Sequence, residues 1–244
     1  MSAILNNAPA RAVLYNRFLA NMPLAERQAL AAHMWTEEFA VGTVLYRPGE
    51  TMHTIYFPND CLVSLMKEVE GQHALEIALV GGEGMLGYSG TVGQTQSPVR
   101  AVLQQAGSIN CVSAEHFCMV CDTHHLVQNM CLLYSETLFA EAVQIAVCSH
   151  FHLLEARLAR SLLTIRERLQ SDNFHITHEF LAHALGVRRV GVTKAASSLQ
   201  KQELIAYSRG KVTVLDPPGL ALVSCACFQQ IVGHVPSEFT PSLK

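Results

Sequence analysis

Charge is scarce in this chain: Asp, Glu, Lys and Arg make up only 15% of its 244 residues, against 50% that are hydrophobic. That balance excludes a disordered, self-repelling polymer and leaves enough apolar mass for one large or two modest packed domains. Long apolar runs are missing as well. None reaches the roughly 18 residues that a membrane-crossing helix takes, so no membrane partner is expected. The opening MSAILNNAPARAVLYNRF lacks a basic leader region and interrupts its apolar residues with Asn6, Asn7, Pro9 and Arg11. It therefore reads against an exported protein and for a cytoplasmic one. The eight cysteines, at 61, 111, 118, 121, 131, 148, 225 and 227, are too sparse for a disulfide scaffold, and free thiols are expected.

What charge there is lies unevenly. Residues 155–215 carry ten Lys and Arg against five Asp and Glu, whereas the remainder carries seven against fifteen. A basic segment inside an acidic protein points to a local polyanion site.

Three stretches follow one another. From Trp35 to Ser113 the runs TVLYRPGE, HTIYFP, CLVSLMKEV, ALEIALV, VRAVLQQAG and SINCVSA are short, rich in β-formers and bounded by turn residues, which predicts an antiparallel sandwich or barrel. Ahead of them LAERQALAAHM predicts a short amphipathic helix burying Leu24, Leu30, Ala31 and Met34. Between Ala114 and Leu169 there is no Pro or Gly at all. This stretch predicts a long helix with Leu138, Ala142 and Ile145 on one stripe. Such a helix either packs on the β-domain or pairs with its copy, and spacing alone does not choose.

From Ser171 onward the pattern is helix, turn, helix, hairpin. Thr177 is placed to cap ITHEFLAHALGV, with Glu179 in the first turn and Phe180, Leu181, Ala184 and Leu185 as the buried side. Gly186 supplies the positive φ of a tight turn. The next helix buries Val192, Ala195 or Ala196, and Leu199, leaving Arg188, Arg189, Val190, Thr193 and Lys194 outward near its start. LIAYSRGKVTVLD then reads as a hairpin tipped by Arg209 and Lys211. In such a winged helix-turn-helix the second helix enters the major groove start first. Arg188, Arg189, Val190, Thr193 and Lys194 would then face base edges, and Thr177, His178, Arg209 and Lys211 would meet phosphates.

The order β-roll, long helix and ITHEFLAHALGVRRVGVTKAASSLQKQELIAYSRGKVTVLD is similar to the Crp/Fnr family of bacterial transcription regulators. The likeness spans nearly the whole chain, from LYNRFLANMPLAERQAL and VGTVLYRPGETMHTIYFPNDCLVSL through the wing. It implies an α+β fold: a cyclic-nucleotide-binding-like antiparallel β-roll (a double-stranded β-helix) with short N-terminal helices over 1–125, a dimerisation helix over 126–155, a winged helix-turn-helix over 156–233 and a flexible tail over 234–244. It also implies a homodimer on a near-palindromic DNA operator, with RNA polymerase as a further partner. The family's recognition helix usually starts with an Arg, then a Glu, then a second Arg or Lys five positions after the first. Arg189 and Lys194 fit the outer two, but Val190 replaces the acidic residue, so the familiar operator is not implied.

Nucleotide-binding members of that family carry Gly-Glu for the ribose and Arg-Ser or Arg-Thr for the phosphate. Gly82-Glu83 fits the first pair, within an effector pocket expected to comprise Gly82, Glu83, Gly84, Met85, Leu86, Thr95, Gln96 and Arg100. Thr95-Gln96 falls where the cationic pair belongs, and Arg100 lies seventeen residues past Glu83 with Ala101 behind it. A buried phosphate diester without a cation is poorly compensated, so this pocket is read as turned to another signal or to none, and no cofactor is expected. A metal, haem or redox alternative rests on AEHFCMVCDTHH, with His116, Cys118, Cys121 and His125 as candidates. On a helix, Cys118, Cys121 and His125 share a face that His116 need not join. Cys225-x-Cys227 is a fainter signal of the same kind. An enzyme would need a nucleophile, a base and an orienting group around Glu83, His73 or these thiols, and none can be assembled.

Overall fold

The computed structural model describes residues 16–69, 73–88 and 96–233. The expected tail over 234–244 and Thr95 lie outside the described residues. Two short helices, α1 (Arg17–Ala20) and α2 (Leu24–Ala31), precede the strands β1 (Trp35–Phe39), β2 (Val44–Tyr46), β3 (Thr54–Pro58), β4 (Leu62–Val69), β5 (His73–Val80), β6 (Arg100–Gln105) and β7 (Gly107–Ser113). The strands form two antiparallel sheets, in the orders β1-β7-β3 and β2-β6-β4-β5. Between them Val63, Val80, Ala101, Leu103, Ile109 and Cys111 make a common core, which is the roll expected from the short, turn-bounded runs.

One local expectation needs correction, and one strand went unforeseen. Leu24 stands 59% exposed rather than buried, and Met34 falls past the end of α2; only Leu30 is fully packed. Strand β1 is a strand without an apolar face: WTEEF is almost wholly exposed and is held by backbone pairing from Trp35↔Cys111 to Phe39↔Gly107.

The Pro- and Gly-free stretch is three helices, not one: α3 (Ala114–Thr123), α4 (His125–Phe151) and α5 (Leu154–Leu169). Extended backbone at His152 and Leu153 makes the second break, although neither residue is a helix breaker by type. The stripe Leu138, Ala142, Ile145, assigned by the family resemblance to the dimer helix, is partly covered within the chain. Ile145 is buried within the chain itself, and Leu138 packs on the cores of the roll. The side of α4 left open carries Leu132, Leu133, Phe139, Val143 and Val147. By length and apolar composition α4 could cross a membrane. Here its inner side lies against α3, β5 and α9 (Cys227–Gly233) and carries the buried, ion-paired Glu141.

Beyond α5 come β8 (Asn173–His175), α6 (His178–Leu185), α7 (Arg189–Lys201), β9 (Ile205–Ser208), β10 (Lys211–Val214), α8 (Pro217–Val223) and α9. The hairpin β9-β10 gains β8 as a third strand, in the order β8-β10-β9. Their shared core includes Leu158, Leu162, Leu181, Leu185, Val192, Leu199 and Val212, together with Leu62 and Leu79 from the roll.

Candidate nucleic-acid interface

The helix-turn-helix is built from local rules. Thr177 caps α6, its Oγ1 accepting from Phe180 N at 3.1 Å, and Gly186 ends it at φ +62°. Leu181, Ala182, Ala184 and Leu185 bury one side of α6, with Phe180 half-buried; Val192, Ala195, Ala196 and Leu199 bury one side of α7. The Arg157 guanidinium donates to the Leu185 carbonyl and fixes the end of α6 to α5. The opposite side of α7 is therefore set outward: Arg188, Arg189, Val190, Thr193 and Lys194 are all exposed, Val190 by 60%.

The wing turns on Arg209 and Gly210, at φ +50° and +82°. Positive φ at both central residues is the two-residue hairpin turn whose twist matches its strands. The positive φ at Gly210 is what calls for glycine there; a Cβ would meet only the tip of the exposed His175 ring, which can move aside. Arg209 and Lys211 stay exposed at the tip. Between wing and helices lies an open cleft of ≈ 350 Å³ lined by Thr177, His178, Arg189, Tyr207, Arg209 and Gly210.

His178, expected to meet a phosphate, is half-buried and lines the cleft. Its ring stands edge-on to Tyr207 at 4.4 Å, and Nδ1 lies 3.1 Å from Thr193 Oγ1, whose hydroxyl donates to the Arg189 carbonyl. Burial, then the Arg189 charge, pushes the imidazole pKa down, so it is neutral near pH 7. His178 and Thr193 thus brace the first turn of α7.

Residues 156–223 match the family model described as a Crp-like helix-turn-helix domain. The chain carries a Crp-like domain. Solved structures extend the likeness to the Crp/Fnr fold as a whole. FixK2 from Bradyrhizobium japonicum is 14% identical over 79% of this chain and 98% of its own, with a TM-score of 0.70. A Crp/Fnr-family transcriptional regulator from Thermus thermophilus is 24% identical over 78% and 98%, at 0.62. The c-di-GMP responsive global regulator CLP of Xanthomonas campestris is 16% identical over 79% and 99%, at 0.64. No curated protein sequence matches the chain. The C-terminal domain is thus Crp-like, and the fold resembles that of the solved Crp/Fnr-family structures.

In the described part of the expected effector pocket, several groups of residues 82–84 and Arg100 are engaged by the protein's own side chains and backbone. Gly82, Glu83, Gly84, Met85 and Leu86 are all buried. The Gly82 carbonyl accepts from Arg17 N at 2.6 Å, and the Gly84 carbonyl accepts from Asn16 Nδ2 at 2.8 Å. Gly84 faces the Tyr134 hydroxyl so closely that a Cβ would overlap it. Glu83 lies 3.5 Å from Arg168 Nε and 3.7 Å from Arg17 Nη2. Arg168 in turn donates to Glu141 Oε2 at 2.7 Å. Arg100 pairs with Glu68 at 3.4 Å, and Gln96 is exposed.

The four metal candidates at 116–125 are not brought together. His116 bonds Ser113 Oγ through Nδ1 at 2.6 Å and stacks on His33, while Cys121 turns to Cys131. Among the described residues, the group of His, Cys, Asp or Glu close enough to share an ion is Cys148, His152, Cys225 and Cys227. Sequence spacing could offer only Cys225-x-Cys227; its partners lie more than seventy residues earlier.

Proposed function

We propose that the protein is a cytoplasmic, DNA-binding transcription regulator of the Crp/Fnr type, acting as a homodimer on a near-palindromic operator and working with RNA polymerase. One observation carries the reading: the start of α7 presents Arg188, Arg189 and Lys194 outward, beside a cleft and wing carrying Arg209 and Lys211. In this reading Arg189 and Lys194 read base edges, Val190 offers only apolar contact, and Arg209, Lys211 and the Thr177 hydroxyl hold phosphates. Two such units one helical turn apart, about 34 Å, match two half-sites.

Anisotropy titrations on a selected genomic fragment and on random DNA test it. Arg189→Ala should lose about 10- to 100-fold on the specific fragment and little on random DNA; Lys211→Ala should weaken both and reduce the salt slope by about one. Cyclic AMP should change neither, because the carboxylate and guanidinium that would take it are already paired. Unaltered sequence preference in Arg189→Ala, or a cyclic AMP response, would overturn the corresponding assignment.

The open side of α4 supports the dimer. Leu132, Phe139, Val143 and Val147 recur at spacings of seven, four and four, which is one stripe of a helix, and a stripe of this size is rarely left to water. Phe139→Glu puts a charge in its middle and should yield monomers by analytical ultracentrifugation at micromolar concentration. A dimer that survives this change must use another surface.

A further inference from the structure

The C-terminal end of α4 and the turn between α8 and α9 meet in a group of side chains that the helix-turn-helix does not use. We propose that Cys148, His152, Cys225 and Cys227 form a closed site for a single, tetrahedrally coordinated divalent metal ion of the zinc class, which clamps α8 and α9 to the end of α4.

Geometry favours one ion. The four ligand atoms all lie within 4.8 Å of one another. Cys148 Sγ is 3.5 Å from Cys225 Sγ, and Cys227 Sγ is 3.4 Å from His152 Nδ1. Zinc–sulfur bonds of about 2.3 Å and zinc–nitrogen bonds of about 2.0 Å at tetrahedral angles put neighbouring ligand atoms roughly 3.5 to 3.8 Å apart. Two edges of the group, Cys148–Cys225 and Cys227–His152, therefore match those of a mononuclear site, and the others lie within 4.8 Å. Its donor set is also of the kind that closed zinc sites use, three thiols and one imidazole, with no position left for water or substrate. An iron–sulfur cluster, normally held by four thiolates around a larger inorganic core, fits neither the count nor the spread.

The ligand pairs come from local rules acting twice. Cys148 and His152 are four residues apart at the end of α4, so one face presents both, and the break after Phe151 turns the His152 ring toward Cys227. Cys225 and Cys227 flank Ala226 in the connection from α8 into α9. All three cysteines are buried, in a small cluster of their own with Ala156 beside it.

The surroundings suit bound thiolates. Gln144 Nε2 donates to Cys227 Sγ at 2.9 Å, an outer hydrogen bond of the sort that orients metal ligands. Three thiolates with one divalent ion leave a net negative charge, and the Arg157 and Arg160 guanidiniums both act on this group. Arg160 is buried, and its Nε has no hydrogen-bond partner. A Cys148–Cys225 disulfide is the competing fate of these thiols. It would leave Cys227, His152 and the Gln144 contact without a purpose.

The test uses the full chain, purified under reducing, chelator-free conditions. Elemental analysis should find about one zinc per chain, and cobalt added to the stripped protein should give the intense visible bands and thiolate charge transfer of a tetrahedral site. Cys225→Ser with Cys227→Ser should lose both signals, whereas Cys118→Ser with Cys121→Ser should keep them. Should the first variant fail to fold, alkylation of the wild type with and without chelator locates the site: chelation must expose Cys148, Cys225 and Cys227 together. Less than about a tenth of an equivalent of metal with no cobalt spectrum, metal retained by the Cys225/Cys227 variant, or a Cys148–Cys225 disulfide in protein isolated with its thiols blocked would each overturn the site.

Discussion

Arg168→Met is expected to destabilise the chain by about 3 to 5 kcal/mol, the cost of leaving buried charge without its partner. The Arg168 side chain is 8% exposed and stands between Glu83 at 3.5 Å and Glu141 at 2.7 Å, both of them buried. Burial works against its charge, but the Glu141 and Glu83 carboxylates outweigh that and raise its pKa, so it is protonated at every ordinary pH. Methionine fills most of the volume and removes the charge, leaving two carboxylates facing each other in a low-dielectric site. Arg17 reaches only one of them, at 3.7 Å. Adding Glu83→Gln and Glu141→Gln should restore much of the loss, because it removes the stranded charges rather than replacing the pair. Urea denaturation at neutral pH reads both steps. A loss below about 1 kcal/mol in the single variant would mean that water or rearrangement already screens the site.

Glu76→Gln should stabilise the protein by about 3 kcal/mol above pH 7 and by almost nothing near pH 4.5. Glu76 is buried on β5, where burial pushes its pKa from 4.5 up to about 7, against the Ser64 hydroxyl bond and the Arg168 and Arg160 charges that pull it down; Glu141 adds to the rise. The sign follows from proton counting. Between pH 4.5 and 7 the unfolded chain has lost this proton and the folded chain keeps it, so folding becomes less favourable as pH rises through that window and levels off above it. Glutamine keeps the bond to Ser64 and has no proton to lose. The difference between variant and wild type, followed by urea midpoints from pH 4.5 to 8, isolates this one group. An offset that does not change with pH would show that Glu76 is ionised in the folded state throughout.

The parts legible in the sequence were those that local chemistry decides. Thr177, Gly186 and the Arg209-Gly210 tip mark the cap, the turn and the wing because each acts within a few residues. The roll was readable strand by strand from β2 to β7, where short runs of β-formers are bounded by turn residues. It was not readable at β1, whose WTEEF is held by main-chain bonds to β7 and shows no apolar period. On α4 the apolar residues lie on both sides, so periodicity marked a stripe without saying which stripe the roll would cover. Glu83 was visible as half of a nucleotide motif, but its engagement with Arg168, eighty-five residues on, depends on how α5 packs. Cys148 and His152 were invisible for the same reason: nothing near them in the chain hints at Cys225 and Cys227.

Leu62 and Leu79 belong to the roll by sequence and to the helix-turn-helix by packing, since they lie inside the core formed by α5, α6 and α7. A segment cut at residue 156, where the family match begins, would leave that interior without two leucines and without the first residues of α5. The two units are therefore not interchangeable cassettes. A chimera that grafts this DNA-facing half onto another sensor would have to bring a matching pair of aliphatic side chains on the sensor's own sheet, or accept an open seam where water enters.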